Sequence, residues 1–373
     1  MRFEPFAMER LQSIWEHQVA WNVSESGVEP LRVEELALTE SDRQELLGQP
    51  LAYTQTNGTI ELRGQIAALY SGATVDHIQV TNGGSEANCI TLLHLVDRGD
   101  EVVMMTPNYM QAAGLLHSLE ATVIPWPLRV SQAGDRWEPD LEALDSLVTA
   151  RTRAVFICTP NNPTGSRLTA AELDAIGAAA AQAGAWIISD EIYRGAELDA
   201  VESPTMWGRS ERVLITSGLS KAYGLPGLRI GWVVGPPSTI AELWGVHDYT
   251  TIAPGAVNDL LARIALSPDG RERLLARTRG IIRANYPVVR NWIEKHPGLS
   301  HVPPEAGAIV FTRYAHDINS TKLIDRLRTE QSVLVVPGDH FGMDRYLRIG
   351  FGSHPELLTG ALTRIGELMD SLA

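Results

Sequence analysis

Lys221 stands in the segment Ser217-Gly-Leu-Ser-Lys-Ala-Tyr-Gly-Leu-Pro-Gly-Leu-Arg-Ile-Gly-Trp232. It follows an apolar, strand-like run and lies among small residues, with Arg229 eight positions later. A lysine amine forms an imine with an aldehyde only when unprotonated. Arg229 offers a fixed fork of donors that suits a phosphate. Ser217 and Ser220 add hydroxyl donors. A Ser-Lys pair alone would read as a solvated surface loop; the full spacing favours an imine-forming lysine beside a phosphate site.

Three more segments supply groups for the same chemistry. In Trp186-Ile-Ile-Ser-Asp-Glu-Ile-Tyr193, Asp190 closes an apolar strand. Strand ends in an open α/β sheet border the ligand crevice. A buried carboxylate there needs a cation, and a protonated pyridine nitrogen would serve. Tyr193 could hydrogen-bond the ring's phenolic oxygen; a strand-end Asp capping a helix is the plainer alternative. In Thr159-Pro-Asn-Asn-Pro-Thr-Gly165, a rigid turn could aim the Asn162 amide at that oxygen. In Thr81-Asn-Gly-Gly-Ser-Glu-Ala-Asn88, glycines open a helix, so Gly84 and Ser85 could present backbone N–H groups to a phosphate. Tyr109, just after a strand, could stack on a planar ring. Arg348 sits inside the apolar strand Tyr346-Leu-Arg-Ile-Gly-Phe351. Its partner is either a substrate α-carboxylate or an internal acid.

Strands and helices alternate between Ser85 and Val234. Strands are expected at Glu101–Thr106, Ala121–Pro125, Arg153–Thr159, Trp186–Asp190, Val213–Thr216 and Leu228–Val234. Helices are expected at Gly84–Val96, Met110–Ser118 and Thr169–Ala183, the last with a Thr169/Glu172 capping box. Several strands are apolar on both faces, as in a mostly parallel sheet sandwiched by helices. After Pro254 long helices are expected at Ala256–Leu266 and Gly270–Lys295. Strands at Ala308–Thr312, Val333–Val336 and Tyr346–Phe351 and a helix at Pro355–Leu372 follow. The expected organisation is an N-terminal segment, 1–40, with a helix near Met8–Val19 and no sheet pattern. A large domain, 41–269, and a smaller α+β domain, 270–373, complete it.

The bulk composition sets limits. The chain has 373 residues, 44% hydrophobic and 20% charged, with a net charge of −14. That balance opposes a nucleic-acid partner, which would need clustered Lys and Arg. Cys89 and Cys158 lie in apolar runs and read as small buried hydrophobes, so neither a disulfide nor a metal site is expected. The charged N-terminus has no signal-peptide core, and no apolar run reaches a membrane span. The expected location is the cytoplasm.

Taken in order, NNPTG, SDEIY and SGLSKAYGLPGLRIGW resemble the fold-type I pyridoxal-phosphate enzymes, specifically the class I/II aminotransferases. The resemblance runs from about Ser24 to the C-terminus. It implies pyridoxal 5'-phosphate as cofactor, held by Lys221 as a Schiff base, with Lys221 also moving the substrate proton. It implies Asp190 as partner of the ring nitrogen, Tyr193 and Asn162 at the ring oxygen, and Tyr109 stacked on the ring. Gly84, Ser85 and Arg229, with Ser220, match phosphate ligands. Arg348 matches the α-carboxylate arginine. Tyr53 resembles a tyrosine that reaches the phosphate of a neighbouring subunit, which implies a homodimer. Gly27 resembles a glycine loop near the substrate. Gly218 departs from the pattern, since many members carry Ser or Thr there. The implied activity is transfer of an amino group between an amino acid and a 2-oxo acid. Ser26–Val28, LSKAYGLPGLR, His247–Thr250, Val333–Gly338 and Arg348–Gly352 also resemble a branch that instead cyclises a hydroxylated arginine. The side-chain pocket is expected to use the N-terminal loop, His247–Thr251 and partner residues.

Overall fold

The computed structural model of the chain describes residues 2–37 and 39–372. Strands in chain order are β1 (Trp21–Asn22), β2 (Ile78–Thr81), β3 (Glu101–Thr106), β4 (Thr122–Val130), β5 (Trp137–Pro139), β6 (Thr152–Cys158) and β7 (Trp186–Asp190). They continue with β8 (Val213–Gly218), β9 (Gly231–Val234), β10 (Leu299–His301), β11 (Ile309–Tyr314), β12 (Val333–Leu334), β13 (Val336–Pro337) and β14 (Tyr346–Gly350).

Eight strands form the large sheet in the order β2-β9-β8-β7-β6-β3-β4-β5. β8, β7, β6, β3 and β4 run parallel, and β9 and β5 oppose their neighbours. Both faces of the sheet are buried, and the period of two divides its residues between two cores. Val103, Met105, Val155, Ile157 and Ile187 face one core. Val102, Met104, Ala154, Phe156 and Ile188 face the other. Continuous apolar runs are the sequence form of that double burial. Helix Ala170–Ala183 starts on the expected capping box and stops at Gly184, whose φ of 68° is the left-handed helix stop.

A second sheet, β10-β11-β14-β13, is antiparallel throughout. Its core joins Val310, Leu347 and Ile349 to Leu323, Leu327, Leu358 and Ile365 of the two C-terminal helices. Helix Pro268–Lys295 bridges the units: Leu274 and Leu275 pack in the large-sheet core, Ile282, Val289 and Ile293 in the small-sheet core. The N-terminal segment also touches both, with Met8 in the first and Val23 and Val28 in the second. No helix among the described residues is long and apolar enough to cross a membrane.

Several local expectations are corrected. The expected strand Leu228–Val234 begins only at Gly231, because a 3-10 turn occupies Pro226–Leu228 and Arg229 is left-handed at φ 48°. The N-terminal segment does contribute a strand: β1 pairs in parallel with β12. The expected strand Val333–Val336 therefore splits, one half on β1 and the other on β14. The N-terminal helix spans Ala7–Trp15 and ends short of Val19. β4 runs on to Val130, pairing with β3 through Pro127 and with β5 beyond it. Its prolines, two apart, lose donors on only one edge. β2, outside the expected pattern, pairs with β9.

The close approach of β9 to the start of helix Gly84–Leu95 fixes the site's floor. A Cβ on Gly231 would lie 2.4 Å from the Gly83 carbonyl carbon and 2.5 Å from the Gly84 nitrogen. Backbone cannot yield there as a flexible side chain can. Gly231→Ala should therefore lower unfolding stability by about 2 kcal/mol or more, read from urea denaturation midpoints at unchanged slope.

Candidate active site

A cavity of about 330 Å³ opens at the C-terminal ends of the parallel strands. The large sheet brings Asp190 at the end of β7, Asn162 from the turn after β6, and Ser220 and Lys221 from the loop after β8. Helix Gly84–Leu95 points its N-terminus into the space, with Gly84, Ser85 and Asn88 on the wall. Arg348 enters from β14, and Met8, Glu9 and Gln12 come from the N-terminal helix.

Asp190 is 7% exposed. Asn88 Nδ2 donates to its Oδ2 at 2.8 Å, and the Ile192 amide donates to its Oδ1 at 3.1 Å. Thr216 Oγ1 in turn donates to Asn88 Oδ1 at 2.6 Å, which fixes the amide's orientation. No cation lies within ion-pair distance among the described residues, and burial raises the Asp190 pKa above its ordinary value. Asn88 had no assigned role, although it sits one helical turn from Gly84 on the same face, which was the available signal.

Arg348 is 1% exposed, and it too has no acidic partner within ion-pair distance among the described residues. Its Nη1 donates to Asn162 Oδ1 at 3.0 Å and its Nη2 to the Ser24 carbonyl at 2.5 Å. Its Nε has no hydrogen-bond partner. Burial pushes its pKa down, opposed by Tyr193, Glu25 and Glu9. An internal salt bridge is thus not what holds this arginine.

Lys221 Nζ lies 3.7 Å from Glu25 Oε2. Lys221 holds the Glu25 carboxyl below its ordinary value, against burial. Tyr193 O–H donates to Ser26 Oγ at 2.8 Å, and burial pushes its pKa well up. Tyr109 O–H donates to Glu9 Oε1 at 2.8 Å, and the Phe6 ring meets the Tyr109 ring edge-on with centroids 5.1 Å apart.

The wall formed by Gly83, Gly84 and Arg229 is built on glycine. Gly83 has φ 92°, and a Cβ there would sit 2.2 Å from Arg229 Nη2. Arg229 donates to the Pro226 carbonyl at 3.0 Å and has no acidic partner among the described residues. Ser217 Oγ turns away and donates to the Glu191 carbonyl, whereas Ser220 lines the cavity. Gly218 is glycine for steric reasons: a Cβ would stand 2.8 Å from the Ile230 carbonyl oxygen. These residues fit a phosphorylated pyridine: a donor-rich helix start, an unpaired arginine, and a buried carboxylate lacking its cation.

Lys221, Asp190, Tyr193, Asn162, Tyr109, Gly84, Ser85, Ser220, Arg229 and Arg348 all line this one cavity. Gly27 lies just behind the wall, where an added Cβ would be 3.6 Å from Lys221 Cδ. Tyr53 stands apart at 85% exposure. His247–Thr251 do not line the cavity. His247 is fully buried, 3.5 Å from Glu86, and Thr250 and Thr251 donate to Glu86 Oε1. Glu9, Glu16 and Glu25 also line the cavity, beside Ser26 of the N-terminal loop that the sequence places near the substrate; no motif singles out the three glutamates.

Residues 17–365 match the family model for aminotransferase class I and II, and the chain belongs to that family. It is 34% identical over 309 residues to capreomycidine synthase of Streptomyces vinaceus, covering 81% of this chain and 77% of that protein. A pyridoxal-phosphate-dependent aminotransferase from Streptococcus suis superposes with a TM-score of 0.93 at 30% identity, covering 100% and 99% of the two chains. The pyridoxal-phosphate-dependent cyclase OrfR gives a TM-score of 0.90 at 26% identity, with the same coverage. The fold is that of the fold-type I aminotransferases, and the cofactor is pyridoxal 5'-phosphate.

Glu86 anchors the helix start to the 247–251 segment. Burial alone would raise its pKa, but hydrogen bonds from His247, Thr250, the Asn82 amide and Thr251 bring it down to about 2. A depressed carboxylate stabilises the fold above its unfolded pKa and loses that contribution as pH falls through the folded one. The stability gap between wild type and Glu86→Gln should therefore be constant at neutral pH and close between pH 4.5 and about 2. Urea midpoints across that range measure it.

Proposed function

We propose that the chain is an aminotransferase that moves the amino group between an L-amino acid and a 2-oxo acid. The carrying observation is the convergence of Lys221, cation-free Asp190 and carboxylate-free Arg348 on one cavity. Pyridoxal phosphate, when bound, supplies an aldehyde for amines and an electron sink for the pair left by a broken α-C–H bond.

The residues divide the remaining work. Lys221 Nζ would hold the cofactor and carry the proton removed from the substrate α-carbon. Asp190, oriented by Asn88, would hold a proton on the ring nitrogen. Tyr193 and Asn162 hydrogen-bond the ring oxygen, and Tyr109 stacks on the ring. Gly84, Ser85, Ser220 and Arg229 bind the phosphate. Arg348 receives the substrate α-carboxylate through donors it now spends on Asn162 and a backbone carbonyl. Gly27 keeps the N-terminal loop against the lysine stem.

The same reading makes the protein a cytoplasmic homodimer in which Tyr53 reaches the partner's phosphate. Leu51, Tyr53 and Tyr249 are exposed at 90%, 85% and 93%. Thr54 Oγ1 donates to the Pro254 carbonyl and Trp244 Nε1 to Thr56 Oγ1, so the two apolar segments form one surface. It also divides the chain into a large domain, 41–269, and a small one, 270–373; segment 1–40, expected on the small one, packs against both.

A second reading is a lyase or cyclase acting on a hydroxylated arginine-like amino acid, favoured by the likeness to capreomycidine synthase and OrfR. The two readings share removal of the α-proton and part over whether a β-substituent leaves. Incubation with amino acid and no 2-oxo acid separates them. Transfer predicts one equivalent of pyridoxamine phosphate and then a halt; elimination predicts repeated turnover. In either case Lys221→Ala should lower the chemical rate about a thousandfold, measured in single-turnover kinetics.

A further inference from the structure

Four carboxylates and three cations line the cavity. In the reading above, each cation already has an anion to meet: Arg229 a phosphate, Arg348 an α-carboxylate, and Lys221 is consumed as an imine. Asp190 takes the ring nitrogen. Among the described residues Glu9 has no cation within ion-pair distance, Glu16 has only the exposed His17, and Glu25 has only Lys221, which the cofactor would take up. Glu9 comes from the N-terminal helix, Glu16 from its C-terminal cap and Glu25 from the loop after β1, and all three line the cavity.

We propose that Glu9, Glu16 and Glu25 form a charge-selective subsite for a substrate whose side chain ends in a cation, a guanidinium or primary ammonium. This inference rests on the proposed function and names the substrate class for that same site. Arg348, outside the glutamate cluster, points to a ligand carboxylate in the same cavity. It is buried, it lines the wall, its Nε has no partner, and it lacks any carboxylate among the described residues. A ligand with a carboxylate at one end and a cation at the other satisfies both walls at once.

The carboxylates are held for this use. Glu9 accepts from Tyr109 O–H, which fixes it facing inward from the first turn of the helix. Glu16 follows the last residue of the helix, with the exposed His17 at 3.2 Å. Burial raises the Glu16 pKa, and Glu25 and Glu9 add to the rise, while His17 opposes it. Three like charges around one space repel one another, and a bound cation relieves that repulsion. A neutral side chain would leave it in place, and an acidic one would add to it, so the subsite also rejects.

The test is a titration of the holoenzyme with arginine and with citrulline, its neutral isostere, following the cofactor absorbance. Lysine and norleucine form a second matched pair. The wild type should bind each cationic member about tenfold or more tightly than its neutral counterpart. In Glu16→Gln the ratio should fall, and in the Glu9→Gln/Glu16→Gln double variant it should approach one, because the cationic member loses more affinity than its neutral counterpart. Equal binding of arginine and citrulline by a yellow wild type, or an unaltered ratio in the double variant, overturns the charge selection alone. A wild type that stays colourless with added pyridoxal phosphate overturns the underlying reading instead.

Discussion

A carboxylate sealed at the end of a central strand, with no cation beside it, is the constraint around which this molecule is arranged. Asp190 closes β7, which has a parallel neighbour on each side, and helices cover both faces of the sheet. Removing such a group from water costs several kcal/mol unless a positive charge and hydrogen bonds compensate. The protein supplies the hydrogen bonds, from Asn88 and the Ile192 amide, and leaves the charge to be supplied by a ligand. The need to aim one oxygen of Asp190 outward explains the Thr216–Asn88–Asp190 chain behind it. It also explains the tight contact of Gly83, Gly84 and Gly231, which brings the helix carrying Asn88 against the sheet.

Arg348 poses the same problem with the opposite sign. It belongs to the second sheet, yet its guanidinium reaches Asn162 of the first unit and the Ser24 carbonyl of the N-terminal segment. One buried cation therefore ties together three parts of the chain at the cavity. The N-terminal segment is held there by β1 pairing with β12 and by Val23 and Val28 in the small-sheet core. Glu9, Glu16 and Glu25 of this segment consequently line the cavity. Two unpaired charges of opposite sign, set in rigid walls and preorganised by neutral hydrogen bonds, leave Asp190 for a cofactor cation and Arg348 for a substrate carboxylate.

Much of this was legible from the sequence. Continuous apolar runs marked the buried parallel strands, and Lys221, Asp190, Tyr193, Asn162 and Arg229 were marked by residue types that follow strand ends. What escaped had physical reasons. Arg229 looked like a strand residue because nothing in its neighbourhood announces a left-handed φ at a bulky side chain. Asn88 looked like ordinary helix, since its partners, Thr216 and Asp190, are more than a hundred residues away. His247 looked like a pocket residue, but burial with Glu86 turns it into an anchor for the helix start. Glu9, Glu16 and Glu25 lie on the first helix, at its end and in the loop after β1, where surface glutamates are common; only packing against the cavity distinguishes them. Tyr53 is recognisable only by resemblance, for a single chain leaves it in solvent.

The central claim is that Asp190 keeps the cofactor's ring nitrogen protonated. It is tested most directly by 15N NMR of the holoenzyme loaded with pyridoxal phosphate labelled at that nitrogen. A buried carboxylate hydrogen-bonded to the ring should hold it as a pyridinium from about pH 6 to 9, and Asp190→Asn should give the neutral-pyridine resonance. A neutral-pyridine signal in the wild type at neutral pH, or a pyridinium that survives in Asp190→Asn, would contradict the account.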